Sequence, residues 1–220
     1  MEKKYKLTEE TLEIDGRTLH RIVALRDFGE VKKGDIGGWI EKESNLAHDW
    51  NCWIYNGAVV RGNAIVCGDA EVYGNAIVYG NAIVYGDAKV YGNAIVCGNA
   101  EVCSNAEVYG NAKVYGNAIV YGNAEVYGNA KVCGEATVCG EATVCRNAKV
   151  EKKSDYIVFK NWWSSGRYFT WTHSNDMWSV GCFYGTGEEL IKKAYADSEE
   201  KGREYERIVK YVESIKSEIK

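Results

Sequence analysis

The chain has 220 residues, 46% hydrophobic and 26% charged, with a net charge of −4 at pH 7. This is the composition of an ordinary soluble protein, and the acidic balance argues against one that wraps a nucleic acid backbone by electrostatics; the stretch from Glu151 to Lys220, with 12 basic and 12 acidic residues, hides no basic unit. No apolar run approaches a membrane span and the start MEKKYKLTEE lacks the apolar core of a signal peptide, so the expected location is the cytoplasm.

Residues 1–50 read as a small β cap. A strand is expected from Tyr5 to Ile14, a turn at Asp15-Gly16, and a returning strand from Arg17 to Leu25. Trp39, Trp50 and Trp53 are expected to plug the first coil of the repeat array that begins near residue 51.

Residues 51–151 repeat with a period of six. Valine fills every sixth position from Val60 to Val150, sixteen in register, and Ile54 extends the series to seventeen. Alanine precedes each of these valines by two residues, from Ala58 to Ala148, and the unit reads Gly-Asn-Ala-x-Val-Tyr. Ala-x-Val-Tyr has the two-residue period of a strand, with Ala and Val inward. Gly-Asn supplies a sharp corner. Three such units close a triangular coil of eighteen residues, and seventeen units stack into five to six coils, a parallel β-helix roughly 27 Å long.

Residues eighteen apart then share a face. Tyr55, Tyr73, Tyr91, Tyr109 and Tyr127 form an outward ladder ending at Cys145, beside a solvated row of Glu71, Lys89, Glu107, Glu125 and Thr143. The ladder reads as stabilising, with a binding surface as the alternative. The other faces are greasier. One shows Val59, Ile77 and Ile95 before changing to Lys113, Lys131 and Lys149; the next shows Ile65, Ile83 and Ile119, interrupted by Glu101. Strand propensity alone accounts for exposed isoleucines. A contiguous stripe over Ile65, Ile77, Ile83 and Ile95 is better explained by contact between subunits.

The eight cysteines are expected to be free. No two of the six in the repeat differ by eighteen, and Cys67, Cys103 and Cys139 lie two coils apart, about 9.6 Å, beyond disulfide reach.

Residues 152–220 read as an α+β tail. Three strands are expected, at Tyr156–Lys160, Arg167–Thr172 and Trp178–Tyr184, followed by a capping box at Thr186-Gly187-Glu188-Glu189 that opens a helix to about Glu200. A second helix, from about Arg203 to Ile219, places Tyr205, Ile208, Val212, Ile215 and Ile219 on one stripe, to pack on its own sheet or in an intersubunit bundle.

The hexad resembles the repeat of left-handed β-helix proteins, which include many acyltransferases and usually form trimers; the left hand is implied by that resemblance. Leu19 to Ile40 (LHRIVALRDFGEVKKGDIGGWI) and Asn51-Cys52-Trp53-Ile54-Tyr55 are similar to the YdcK-type hexapeptide-repeat proteins of bacteria and their phages. The end of the chain, with SVGCFYGTGEELIKKAYADSE, resembles tails of phage and prophage proteins of gut bacteria.

Acyltransferases of this kind use a histidine as general base near loops that leave the coils. Here His20, His48 and His173 all lie outside the repeat, no hexad is interrupted, and the three are too scattered for a zinc site. No cofactor is expected. The tail instead clusters aromatic and basic residues. Arg167 beside Trp171, with Trp163 or His173 completing a pocket, is a candidate for stacking a base and pairing a phosphate; the alternative is that Trp171 is core. The residues thus favour a non-enzymatic homo-oligomeric binding or scaffold protein, expected as a homotrimer. It would be a phage-encoded factor binding a host protein or sequestering a small nucleotide-like signal in anti-defence. The alternative is a trimeric acyltransferase acting on a small acceptor.

Overall fold

The computed structural model describes residues 2–219. The hexad imposes its geometry on the central part of the chain. Seventeen two-residue strands, β4 (Trp53–Ile54), β5 (Val59–Val60) and then every sixth residue to β20 (Lys149–Val150), wind into a parallel β-solenoid of about six turns. Each pairs with the strand eighteen residues on, as Glu71↔Lys89 and Val72↔Val90. Every Ala and Val of the repeat is sealed inside, at 0–1% exposure, so the core is a uniform column that only small and β-branched side chains fill.

Three sheets form the prism walls. The six-stranded wall from β4 to β19 carries the tyrosine ladder. A five-stranded wall runs from β6 to β18, and the third, from β5 to β20, carries the lysine row. Corner glycines take positive φ, and their missing Cβ lets coils stack: a Cβ on Gly74 (φ +68) would sit 3.0 Å from the backbone N and O of Gly92. The corner asparagines bond to one another up the prism, Asn63→Asn81→Asn99→Asn117, with Nδ2 to Oδ1 distances of 2.9–3.1 Å.

A parallel stack has chemically different ends. At strand flanks and corners the N–H groups donate to the next coil's carbonyls, as Glu125 N to Ala142 O at 2.9 Å. The first coil therefore leaves mainly carbonyls open and the last mainly N–H groups, and each end must be satisfied. At the start, the hairpin of β1 (Tyr5–Ile14) and β2 (Arg17–Ala24) feeds β3 (Ile36–Ile40), which continues the third wall. Trp39 N donates to Ala58 O and Ala47 N to Val66 O, each at 2.9 Å. Buried Asn45 donates to Gly62 O (3.1 Å) and Ala64 O (2.8 Å). The Lys4 ammonium, fully buried, donates to Cys52 O at 2.7 Å, and burial lowers its pKa. Of the three tryptophans expected to plug this end, Trp53 does so (1% exposed), Trp39 is half-buried under the Arg21 guanidinium, and Trp50 is 71% exposed. Tyr5, Phe28 and Ile22 complete the plug in its place.

At the far end the donors meet acceptors from the tail: Thr143 N to Thr170 Oγ1 (3.0 Å), Lys149 N to Ser174 Oγ (2.7 Å) and Glu151 N to Asp155 Oδ2 (2.7 Å). The tail is a four-stranded antiparallel sheet, β21 (Tyr156–Lys160), β22 (Tyr168–Thr172), β23 (Met177–Val180) and β24 (Phe183–Gly185), not the three strands expected. Gly181, with φ of 56°, makes a two-residue hairpin turn within what reads as one strand. Helices α1 (Gly187–Asp197) and α2 (Glu199–Ile215) follow. Thr186 and Glu189 form the expected capping box. The break between helices falls at Ser198, earlier than expected, because Ser198 is extended and its hydroxyl accepts from Lys201 N. Tyr205, Ile208 and Val212 pack on the chain's own sheet. The opposite sheet face, with Tyr156 and Val158, packs on the solenoid core.

Candidate functional site

The sheet crosses the end of the prism and leaves a cleft beside the ladder wall, of about 270 Å³. Its floor is repeat sequence: Asn123, Glu125 and Tyr127 from one coil, Glu141 and Thr143 from the next. Its roof is the start of β22 and the β23–β24 turn, with Arg167, Tyr168, Ser179 and Gly181. The loop that delivers Arg167 is tied by buried Asn161, whose Oδ1 accepts from Ser164 N (3.0 Å) and whose backbone N donates to Arg167 O (3.0 Å). The guanidinium then runs past Gly181, where a Cβ would lie 3.8 Å from Nη1.

The floor's polar groups are already oriented. Asn123 Nδ2 donates to Glu141 Oε1 (2.7 Å), and Tyr109 OH donates to Glu125 Oε2 (3.0 Å). Tyr127 is the last rung of the ladder, stacked on Tyr109 at 4.8 Å. Burial, and then the Cys145 thiol beside it, raise its pKa to about 12. Arg167 differs from its neighbours. Among the described residues its guanidinium has no hydrogen bond, ion pair or ring contact, although it lines the same cleft as two carboxylates. A free cation beside oriented acceptors suits a small ligand with an anionic group at one end and hydroxyl or ammonium donors at the other.

The four tail residues singled out by sequence do not meet. Trp171 is 1% exposed, packed with Phe169 and Trp178, and its indole N–H donates to Asp176 Oδ1 at 2.9 Å. It is core, because β22 is covered on both sides: Phe169 and Trp171 face the helices while Thr170 reaches the last coil. Trp163 is 63% exposed, bonds Glu204 Oε2 (2.7 Å) and borders a separate open apolar groove with Phe159 and Tyr211. His173 is exposed, with its ring edge on Trp171 at 5.7 Å. Of the four, only Arg167 lines the cleft. By sequence alone the floor residues read as ladder and corner. A signal is nonetheless present: Glu135 and Glu141 replace the corner asparagine only in the last coils.

In the N-terminal cap, His48 is held by three neighbours. His48 Nε2 is 2.8 Å from Glu43 Oε1, its Nδ1 accepts from Lys4 N, and the ring stacks on Tyr5 at 4.4 Å. Isoleucines 65, 77, 83 and 95 lie outward on two adjoining walls, Ile65 at 39% exposure and the others half-buried. Among the described residues no group of three metal-ligating side chains converges, and no helix is long and apolar enough to cross a membrane.

Comparison with known proteins finds likeness in the repeat. The family described as YdcK Beta solenoid repeat matches residues 70–86 and 112–128. A protein of Escherichia coli (strain K12) named "Uncharacterized acetyltransferase YdcK" is 41% identical over 76 residues, 28% of this chain and 23% of that relative. The chain thus spans about a quarter of the length of the curated relative it matches.

Proposed function

We propose that this chain is a binding scaffold, whose solenoid and tail sheet together hold a small anionic ligand in the cleft under Arg167. The observation that carries the reading is the Arg167 guanidinium, unpaired among the described residues, in a cleft whose two carboxylates are bonded in place. A nucleotide-like signal fits, its phosphoryl group on Arg167 and its sugar hydroxyls on Glu125 and Glu141. In this reading the protein works in the cytoplasm as a homotrimer built on Ile65, Ile77, Ile83 and Ile95. A phage-encoded factor acting against host defence would use such sequestration, and a host protein presenting the same groups is the other partner class. Calorimetry with a panel of linear and cyclic nucleotides tests it. Arg167→Ala should abolish binding of any ligand found while leaving the melting temperature unchanged, and binding as tight as wild type refutes the cleft.

A second reading, acetyl transfer to a small acceptor, is favoured by the name of the Escherichia coli relative. Acceptor-dependent release of free CoA from acetyl-CoA decides for it, and its loss on mutating His48 or His173 would identify the base.

A further inference from the structure

The wall from β5 to β20 carries a charge pattern that the solenoid does not need. Its outward row pairs in register as Ile77↔Ile95, Ile95↔Lys113, Lys113↔Lys131 and Lys131↔Lys149. Aliphatic residues fill the first half of the row, so the fold does not require lysine at this position. Like charges on adjacent strands repel. The ladder wall sets Lys89 between Glu71 and Glu107, although Glu107 and Glu125 also pair there. Lys149 is neutralised by Glu151 at 2.8 Å, but Lys113 and Lys131 have no ion pair among the described residues. Two unpaired, exposed ammonium groups one rung apart form a local cationic site on an acidic protein.

The neighbouring row supplies the second observation. On the ladder wall the tyrosines from Tyr73 to Tyr127 follow at every rung and stack at 4.7–4.8 Å. Here Tyr79 and Tyr115 are separated by Cys97, leaving two rungs between the rings. A planar group inserted over Cys97 would lie one rung from each, the spacing the ladder itself uses. The Arg61 guanidinium covers the far face of Tyr79 at 4.8 Å, and Cys97 lines the slot between Tyr79 and Tyr115. Cys133, the corresponding cysteine two rungs on, is closed at 3% exposure, whereas Cys97 stays half-open. Slot and lysines line one cavity of about 300 Å³.

We propose that this cavity is a second ligand site, for a compound joining a planar ring to a phosphoryl group: the ring between Tyr79 and Tyr115, the phosphoryl oxygens on Lys113 and Lys131. It lies on a different wall from the Arg167 cleft and does not depend on it.

Calorimetric titration of the intact protein with AMP, adenosine and pyrophosphate tests the site. Wild type should bind AMP more tightly than either fragment, and raised salt should weaken AMP but not adenosine. The double variant Lys113→Ala/Lys131→Ala should lose roughly tenfold or more in AMP affinity, with adenosine unchanged. Cys97→Tyr should fill the slot as the ladder does, abolish AMP binding and leave the melting temperature no lower than wild type. Arg167→Ala should leave this binding intact; if it alone abolishes AMP binding, this site is wrong and the cleft stands. No AMP binding at millimolar concentration, or AMP binding that survives both the lysine double variant and Cys97→Tyr, also overturns the proposal. So does pyrophosphate binding as tight as that of AMP.

Discussion

Ser104 and Arg146 stand at corners where the repeat otherwise places glycine, and both hold the left-handed backbone that glycine adopts freely, with φ of 59° and 56°. For Ser104 no side-chain contact among the described residues offsets the strain, so Ser104→Gly should stabilise the protein by about 1 kcal/mol; an unchanged or lower denaturation midpoint would contradict this. Arg146 has a compensation, its guanidinium 4.8 Å from the centre of the Tyr184 ring, which ties the last coil to the tail sheet. The other decisive residues are those that satisfy the solenoid ends. Thr170 is 1% exposed and gives Thr143 N its acceptor. Thr170→Val keeps the shape and leaves that N–H unpaired, so a loss of about 1–3 kcal/mol is expected in equilibrium unfolding. A change within error would mean that water takes the hydroxyl's place.

Among the elements, the tyrosine ladder is both a packing device and a titratable one. Tyr73, Tyr91, Tyr109 and Tyr127 stack nearly parallel, and Tyr55 meets Tyr73 edge-on at 6.1 Å. Burial, with help from Glu71, raises the Tyr55 pKa to about 12, and burial and Cys145 raise that of Tyr127 to about 12; burial also raises Tyr91 and Tyr109. These groups keep their protons in the folded state at a pH where the unfolded chain, with ordinary phenols near 10, releases them. Stability from the ladder is therefore complete below about pH 10 and lost as pH rises toward 12. Melting temperatures should fall across that window, and Tyr91→Phe should flatten the fall; a flat profile in wild type would show the phenols to be solvated. The same face explains why the cleft has a firm floor. Its carboxylates are held by the rungs beneath them rather than by flexible loops.

For the whole molecule, the proposed oligomer rests on an aliphatic corner shared by two walls. Replacing Ile77 and Ile83 with lysine should convert it to monomers by light scattering. Wild type that is monomeric at micromolar concentration removes the idea. The eight cysteines are free thiols in this fold, and the register explains six of them. Thiol counting in denaturant without reductant should return eight, and six or fewer would reveal a disulfide.

The repeat itself was legible because its information is local and periodic. Once valine recurs every sixth residue with glycine at the corner, inward and outward positions and the eighteen-residue register follow from strand pleat and coil closure. The Tyr55–Tyr127 ladder, the isolation of the cysteines and the Thr186 capping box all come from that kind of short-range pattern. The features that sequence left undecided depend on which surfaces pack together. The side of β22 that is free could not be told from its alternation, because both sides are covered, one by helices and one by the last coil. Trp50 and Trp53 are equally apolar, and only closure of the first coil buries one and leaves the other in solvent. The Arg167 cleft joins a tail loop to two coils that lie well before it in the chain, at Asn123–Tyr127 and Glu141–Thr143. Beyond the corner glutamate Glu141, such a site leaves little linear trace, since it exists only where the open end of the solenoid draws the tail's hydroxyls and carboxylate across it.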